Sequence, residues 1–296
     1  MPMLSVLCLN RNHMQTLPVA MNSVLTQQDI ELEIVVADGG STDGSREYLQ
    51  NLPRTRLLEG EDKSRDEGVL RSVRAARGKY IAFTTSTDGY VSPTWLSTAV
   101  NYLEQDPEAG LVWGASITMD VEGQLVARFF PKQYARRKSV PQKRSVFALW
   151  MCEQDLRSSY FSELSYVVRA DIYKKLIEVD PAAPGLAEID PVLRFHFEFL
   201  RQGYLPAYLP ALANFGRAHE GRHQFSPIMK VWMAAYNQSR KEHLRDLLSG
   251  RKDHVWRDGA GREIGTMRRS SLMMAYALGK LLPPRAAHRI RQWFGL

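Results

Sequence analysis

At 296 residues with 44% hydrophobic side chains, the chain is long enough for one large α/β domain with its own core and an appendage. Its two cysteines, Cys8 and Cys152, exclude a disulfide framework and a cysteine-built metal site. It has no long uncharged apolar stretch, and no basic-then-apolar leader is read at the N-terminus, so the expectation is a cytosolic chain without a spanning helix. The net charge of +7 is uneven: from Ser226 on there are 14 Lys/Arg against 5 Asp/Glu, which leaves the rest of the chain near −2. The basic tail, not the body, is expected to meet anions.

The predicted elements alternate. Leu4 to Leu9 is an apolar strand that stops at Asn10-Arg11, and Asn12 to Gln27 reads as a helix with Leu17, Ala20, Met21, Val24 and Leu25 on one face. Glu33 to Ala37 is a second strand; it runs into Asp38-Gly39-Gly40-Ser41-Thr42-Asp43, a tight loop opening a helix over Ser45 to Asn51. Ser41 and Asp43 are read as its caps, and the helix start favours an anionic ligand group. Thr55 to Leu58 is a short strand, and Asp66 to Ala76 is a helix closed by Gly78. Tyr80 to Thr84 is a strand ending in Thr85-Ser86-Thr87-Asp88; Pro93 to Glu104 is a helix capped by Ser92, with Trp95, Leu96, Ala99, Val100 and Leu103 buried.

Leu111 to Ala115, Gln124 to Phe129, Tyr166 to Val168 and Tyr208 to Leu212 are further strands, and Asp171 to Glu178 and Asp190 to Gln202 further helices. This alternation predicts a mostly parallel sheet covered on both faces. Between Arg128 and Arg144 lie seven basic side chains, read either as a solvated loop or as a flap closing over a diphosphate. Cys8, inside a core strand, is expected to be a buried, inert thiol.

Three motifs in this order carry a resemblance: the first strand with Asn10-Arg11, the run Asp38-Gly39-Gly40-Ser41-Thr42-Asp43, and Gly78-Lys79-Tyr80-Ile81-Ala82-Phe83 followed by an acidic turn. Together they resemble the family 2 glycosyltransferases of the GT-A fold, over roughly residues 3 to 226. The resemblance implies a GT-A domain over 1–226 with a mostly parallel central sheet and helices on both faces, followed by a basic helical extension over 227–296. It implies transfer of a sugar from a nucleotide diphosphate to an acceptor hydroxyl. The donor is a UDP- or dTDP-sugar, and the acceptor a saccharide or a lipid-linked glycan.

Site roles follow from the same resemblance. Asp38 stands where the family places an acid that bonds the base, and a carboxylate suits the N3–H of uracil or thymine because it only accepts; a turn-forming acid is the plain alternative. Asn10, Arg11 and Gly40 flank the same crevice. Asp66, in Ser64-Arg65-Asp66-Glu67-Gly68, stands in for the family's Ala-Arg-Asn-x-Gly, with a salt-bridged helix start as the alternative. The usual Asp-x-Asp is altered: Thr85 and Thr87 stand at the two aspartate positions and only Asp88 remains. Thr87 and Asp88 are therefore assigned to the nucleotide sugar, and Asp88 with His219 to Mg²⁺ or Mn²⁺, a cation that keeps several waters in any case. Metal-free stabilisation by basic residues, or loss of catalysis, are the other readings of the two threonines.

For the general base, Leu186-Ala187-Glu188-Ile189-Asp190-Pro191 with Arg194 and Gly203-Tyr204 matches the family's acidic motif. Glu188 falls on the base position and Asp190 on the second acid. Asp190 also reads as the cap of the helix that Pro191 begins, so Glu188 is the preferred base for an inverting transfer.

Beyond Pro227 the resemblance fades. Leu272 to Leu282 is apolar but too short to span a bilayer. Arg285 to Leu296, basic with Ile290, Trp293 and Phe294, reads as an interfacial helix on an anionic inner membrane face. Packing against the domain or against a second copy in a homodimer is the alternative. No nucleic-acid reader motif accompanies the charge. Two classes of function stand at this point: a transferase of polysaccharide biosynthesis, or a catalytically inactive module that binds a nucleotide sugar or scaffolds a partner.

Overall fold

The computed structural model describes residues 2–60, 62–120, 122–129, 144, 147, 163–177, 189–217 and 227–281. The strands are β1 (Leu4–Asn10), β2 (Leu32–Asp38), β3 (Thr55–Leu57), β4 (Tyr80–Thr85), β5 (Gly89–Tyr90), β6 (Ala109–Met119), β7 (Leu125–Phe129), β8 (Tyr166–Arg169), β9 (Leu205–Arg217), β10 (Val255–Arg257) and β11 (Glu263–Thr266). The helices are α1 (Leu17–Leu25), α2 (Ser45–Gln50), α3 (Arg65–Ala75), α4 (Trp95–Gln105), α5 (Ala170–Ile177), α6 (Pro191–Arg201), α7 (Pro227–Ser249) and α8 (Arg269–Leu281).

The central sheet runs β3-β2-β1-β4-β8-β6-β9-β5, with β7 beside β6. Its first four strands are parallel, joined by βα crossovers. From β8 on the directions are mixed: β8 is antiparallel to both β4 and β6, β9 is parallel to β6, and β5 and β7 are antiparallel additions. The sheet is thus parallel on one side and mixed on the other.

Side chains sort by the period of two that a strand imposes. Leu4, Val6 and Cys8 of β1, Leu32, Ile34 and Val36 of β2, and Tyr80 and Ala82 of β4 face the core under α1 and α4. Leu7, Val35, Ile81 and Phe83 face the opposite core, built with α3, α5 and α6. Strands buried on both faces read as continuous apolar runs, which is how β1, β2 and β4 read in the sequence. Cys8 is fully buried, and burial, with the charges of Asp88 and Asp38 behind it, pushes its thiol far above the ordinary range. It is buried, as expected; Cys152 lies outside the described residues.

Four local expectations change. Helix α1 starts at Leu17, not Asn12, because Asn12 is left-handed (φ 54°) and the chain turns before Pro18 enters the first helical turn. Gly78 is not a left-handed helix stop; α3 ends on extended Ala76, and Gly78 is there because a Cβ would sit 2.5 Å from the Ser5 backbone nitrogen of β1. Helix α4 begins at Trp95 with Thr94 as its cap residue and no side-chain cap, the Ser92 hydroxyl instead taking the Thr94 N–H at 3.3 Å. Strand β9 is thirteen residues long and carries Pro206 and Pro210, tolerated because β5 covers only its Asn214 and Phe215.

The C-terminal extension holds two helices and the antiparallel β10–β11 pair, so it is not purely helical. It packs on the domain: Tyr236, Leu247, Trp256 and Leu272 are at most 3% exposed and belong to the core that α6 completes. Gly203, left-handed at φ 81°, lets β10 approach so closely that a Cβ there would overlap the Val255 carbonyl. Arg257 seals the contact, its N–H donating to the Gly203 carbonyl at 2.8 Å and its guanidinium to the Gln202 carbonyl at 2.6 Å. No helix among the described residues is long and apolar enough to cross a membrane. The proposed interfacial helix from Arg285 on, and most of the basic stretch between Arg128 and Arg144, lie outside the described residues.

Candidate functional site

The carboxyl ends of β1, β2 and β4 open on one crevice, where an open α/β sheet binds its ligands. Asn10 ends β1 opposite Asp38 at the end of β2, and Leu9 lies opposite Thr85 at the end of β4.

Asp38 is the hub. It is fully buried, and its carboxylate accepts from the Asn10 amide (2.8 Å), the Ser41 hydroxyl (2.7 Å), the N–H groups of Ser41 (2.8 Å) and Gly40 (3.1 Å), and Arg46 (2.9 Å). Burial by itself would raise this carboxyl; the donors from Ser41, Asn10 and Arg46 outweigh it and hold it below the usual carboxylate range. Gly40 is left-handed (φ 79°), the conformation that turns its N–H back onto Asp38. The Asp38 carboxylate thus builds the loop first. The acceptor left over is next to it: Asn10 is 5% exposed, donates to Asp38 and Ser41, and its Oδ1 has no hydrogen-bond partner.

Ser41 and Asp43 do not cap α2. Ser41 serves Asp38, while Asp43 accepts from the Ser45 N–H and hydroxyl and from the Met14 N–H, pinning the β1–α1 loop to the β2–α2 loop. The cap position is Gly44, left-handed at φ 89°. Arg11 is exposed, and its stem covers Gly39, where a Cβ would stand 3.2 Å from the Arg11 Cδ.

At the end of β4 the altered motif forms its own network. The Thr85 hydroxyl donates to Asp88 Oδ2 at 2.7 Å and lies 3.0 Å from that of Thr87, itself buried. The other oxygen, Asp88 Oδ1, accepts the Arg217 N–H from the end of β9 at 2.9 Å. Asp88 is 4% exposed. Tested as a divalent-cation site, the described residues do not fit: there is one carboxylate, already holding two donors, beside two neutral hydroxyls. No cluster of three His, Cys, Asp or Glu side chains occurs among the described residues. His219, two residues past Arg217, lies outside them.

On the other side, Asp190 caps α6 through the N–H groups of Val192 (2.9 Å) and Leu193 (3.2 Å), and its second oxygen takes the Arg65 guanidinium. Asp66, beside Arg65, is half-buried in the first turn of α3. Glu188 lies outside the described residues; Ile189 and Asp190, which follow it, are buried. Contacts therefore run from Asp38 through the Asp62 N–H (3.3 Å to the Asp38 carbonyl) and the start of α3 to Asp190.

Two residues in this chain of contacts were not singled out in the sequence. Arg46 neutralises Asp38 from α2. Asp62 is half-buried in a stretch that reads as polar loop, with its side chain covered: one oxygen takes Arg71, and Oδ2 is buried without a partner. Burial raises the Asp62 carboxyl, Arg71 opposes the rise, and the charges of Glu67 and Asp38 add to it. The glycine at 68, whose Cβ would stand 3.4 Å from the Asp62 carboxyl carbon, is the one local hint.

The model of glycosyl transferase family 2 matches residues 5–157, more than half of the chain. The chain belongs to that family. Among curated relatives, a chondroitin synthase of Escherichia coli is 26% identical over 166 residues, 54% of this chain and 24% of that protein. The uncharacterized glycosyltransferase YibD of Escherichia coli is 36% identical over 90 residues, 29% of this chain and 26% of the relative. The match thus spans about a quarter of the length of either relative. Among solved structures, residues 1–349 of S. aureus TarS in complex with UDP-GlcNAc align with a TM-score of 0.58 at 14% identity, over 93% of this chain and 72% of that one. That likeness gives the family 2 chain its GT-A fold.

Proposed function

We propose that this family 2 glycosyltransferase moves a sugar from a nucleoside diphosphate to an acceptor hydroxyl, in one inverting displacement. The observation that carries the reading is the crevice at the ends of β1, β2 and β4, where Asn10 and Asp38 stand opposite each other in register. The nucleotide rests there, on the loop that Asp38 orders; Asn10 Oδ1 is the acceptor left beside it, which suits the imide N–H of uracil or thymine. UDP is the favoured nucleotide because TarS, a structure of like fold, is a complex with UDP-GlcNAc. Arg11, exposed just past the end of β1, is a cation available to the diphosphate.

The acceptor oxygen attacks the anomeric carbon while Glu188 takes its proton; the bond from that carbon to the diphosphate oxygen breaks, and the nucleoside diphosphate leaves with the electron pair. Asp190 belongs to the support of this step, since capping and Arg65 occupy both its oxygens. Asp88 and His219 are the side chains offered to Mg²⁺ or Mn²⁺. The described residues by themselves do not make a cation site. The acceptor is a saccharide or lipid-linked glycan of polysaccharide biosynthesis, met at the cytoplasmic membrane face with the basic tail toward anionic lipid.

A second reading, a nucleotide-sugar-binding module without turnover, is favoured by one observation: Thr85 and Thr87 replace both aspartates and spend their hydroxyls on Asp88 and on each other. Incubation with a panel of nucleotide sugars and candidate acceptors, with Mn²⁺ or EDTA, separates the two. Acceptor-dependent release of nucleoside diphosphate supports the transferase; donor binding with no release under any condition supports the module. Activity that survives EDTA and Asp88→Ala alike removes the cation from the reading.

A further inference from the structure

The end of the sheet opposite the crevice holds a cavity of about 440 Å³, within the size range of small-molecule sites. Its walls come from Gly78 and Lys79 ahead of β4, from Arg169 to Lys174 at the β8–α5 junction, and from the turn between β10 and β11. The six residues of β4 span ~20 Å, so this cavity and the crevice lie at opposite ends of one strand.

Four lining side chains are cations, Lys79, Arg169, Lys174 and Arg262, against one acid, Asp171. Two of the four are compensated: Lys79 by Glu104 at 2.5 Å and Arg262 by Asp258 at 2.7 Å. The other two are held by neutral groups. Arg169 donates to the carbonyls of Leu103 (2.6 Å), Ala109 (2.9 Å) and Asp106 (3.3 Å) and lies 3.4 Å from the Tyr80 hydroxyl. Lys174 donates to the Ala76 carbonyl at 2.7 Å. Such partners fix a cation in place without cancelling its charge. Glu104 is within electrostatic range of Arg169 but is already bonded to Lys79 and the Tyr80 hydroxyl. Asp171 is exposed, with Oδ1 on the Ile172 N–H at 2.9 Å.

We propose that this cavity binds a phosphorylated small molecule, with its phosphate between Arg169 and Lys174 and Arg262 closing over it. Part-buried cations with neutral partners and donors to spare are the chemistry of an oxyanion site. The ligand touches both the transferase body and the β10–β11 turn, which is anchored there by the Gly259 N–H on the Pro107 carbonyl at 2.9 Å. Its binding therefore strengthens the docking of the C-terminal extension.

The test is calorimetry on the full chain with inorganic phosphate, in saturating UDP so that the crevice is filled, followed by the same titration with glucose 1-phosphate. Phosphate is expected to bind with UDP present, to raise the melting temperature, and to lose at least tenfold in affinity in Lys174→Met while UDP affinity stays unchanged. Tighter binding of glucose 1-phosphate than of phosphate identifies a sugar phosphate as the ligand class; equal binding identifies the free ion. Arg262→Gln, at a side chain 74% exposed, repeats the test without placing a second acid beside Asp258. Abolition of phosphate binding by UDP, or wild-type affinity in both variants, overturns the proposal. The titration without UDP reads the cavity even if the chain binds no nucleotide.

Discussion

The guanidinium of Arg65 pairs with the carboxylate of Asp190 and ties the first turn of α3 to the N-terminus of α6 across 125 residues of chain. The same carboxylate caps α6. Asp190→Ala removes a cap, worth about 0.5–2 kcal/mol, together with the ion pair to Arg65, worth up to about 1 kcal/mol, so a loss of about 1–3 kcal/mol is expected in urea unfolding. Asp190→Asn keeps the capping oxygen and is expected to lose about half of that. Turnover in Asp190→Asn should fall less than in Glu188→Gln, for which a loss of about 10²-fold or more is expected. The reverse order would make Asp190 the base.

Asp38 is the second structural acid of the site. Asp38→Ala leaves its donors without an acceptor and is expected to destabilise the chain, whereas Asp38→Asn preserves the shape. The folded carboxyl titrates below the unfolded one, near 3.9, so its contribution is complete above about pH 4 and is lost as pH falls through the lower folded value. Wild type and Asp38→Asn should therefore differ in stability at neutral pH and converge on acidification. Curves that stay parallel below pH 4 would contradict this.

A second pH effect comes from two histidines of the C-terminal extension, His243 in α7 and His254 just ahead of β10. His254 is stacked on Phe147 at 3.6 Å with Trp256 edge-on, and His243 lies 6.4 Å away between ring centroids. Burial, then His243 and Arg257, pull His254 down to about 3; burial, then Arg201 and Lys252, pull His243 down to about 4, with Asp246 and Glu198 opposing. Unfolded histidines titrate near 6.5, so stability should be full above that pH and fall steadily as pH drops toward the folded values. Each group contributes a slope of at most about 1.4 kcal/mol per pH unit. In His254→Phe the slope between pH 6 and 4 should be smaller by about one such contribution; an unchanged slope would refute the assignment.

Much of this was legible in the sequence. Strands β1, β2 and β4 announce themselves because both faces are buried and each run ends in polar residues at the crevice. The β10–β11 pair was missed because Val255–Arg257 and Glu263–Thr266 are short and lack alternation; what holds them is a contact with Gly203, invisible without the fold. The internal prolines made β9 look shorter than it is. Asp62, Arg46 and the Arg65–Asp190 pair stayed hidden because composition does not say which charges meet across distant segments. Asp38 was expected at the end of the second strand, where the structure has it, but its occupancy by loop donors could not be read from ten residues.

The extension is part of the fold, not a detachable tail. A chain ending near Ser226 would expose the surface that Tyr236, Leu247, Trp256 and Leu272 cover. At about 1.5–3 kcal/mol for each buried side chain, that loss rivals the 5–15 kcal/mol typical of a whole domain. Such a truncation is expected to lose cooperative unfolding, whereas a chain ending at Leu281 should keep it and, if the tail binds lipid, no longer sediment with anionic liposomes. A cooperative melt from the shorter chain would show the extension to be dispensable.

Titration of the full chain with UDP, beside Asn10→Leu and Asp38→Asn, tests most directly whether the nucleotide rests at the ends of β1 and β2. UDP is expected to bind the wild type and to lose at least tenfold in affinity in both variants, with folded spectra unchanged. Wild-type affinity in both, or no UDP binding to the unmodified chain, would contradict the placement of the donor site.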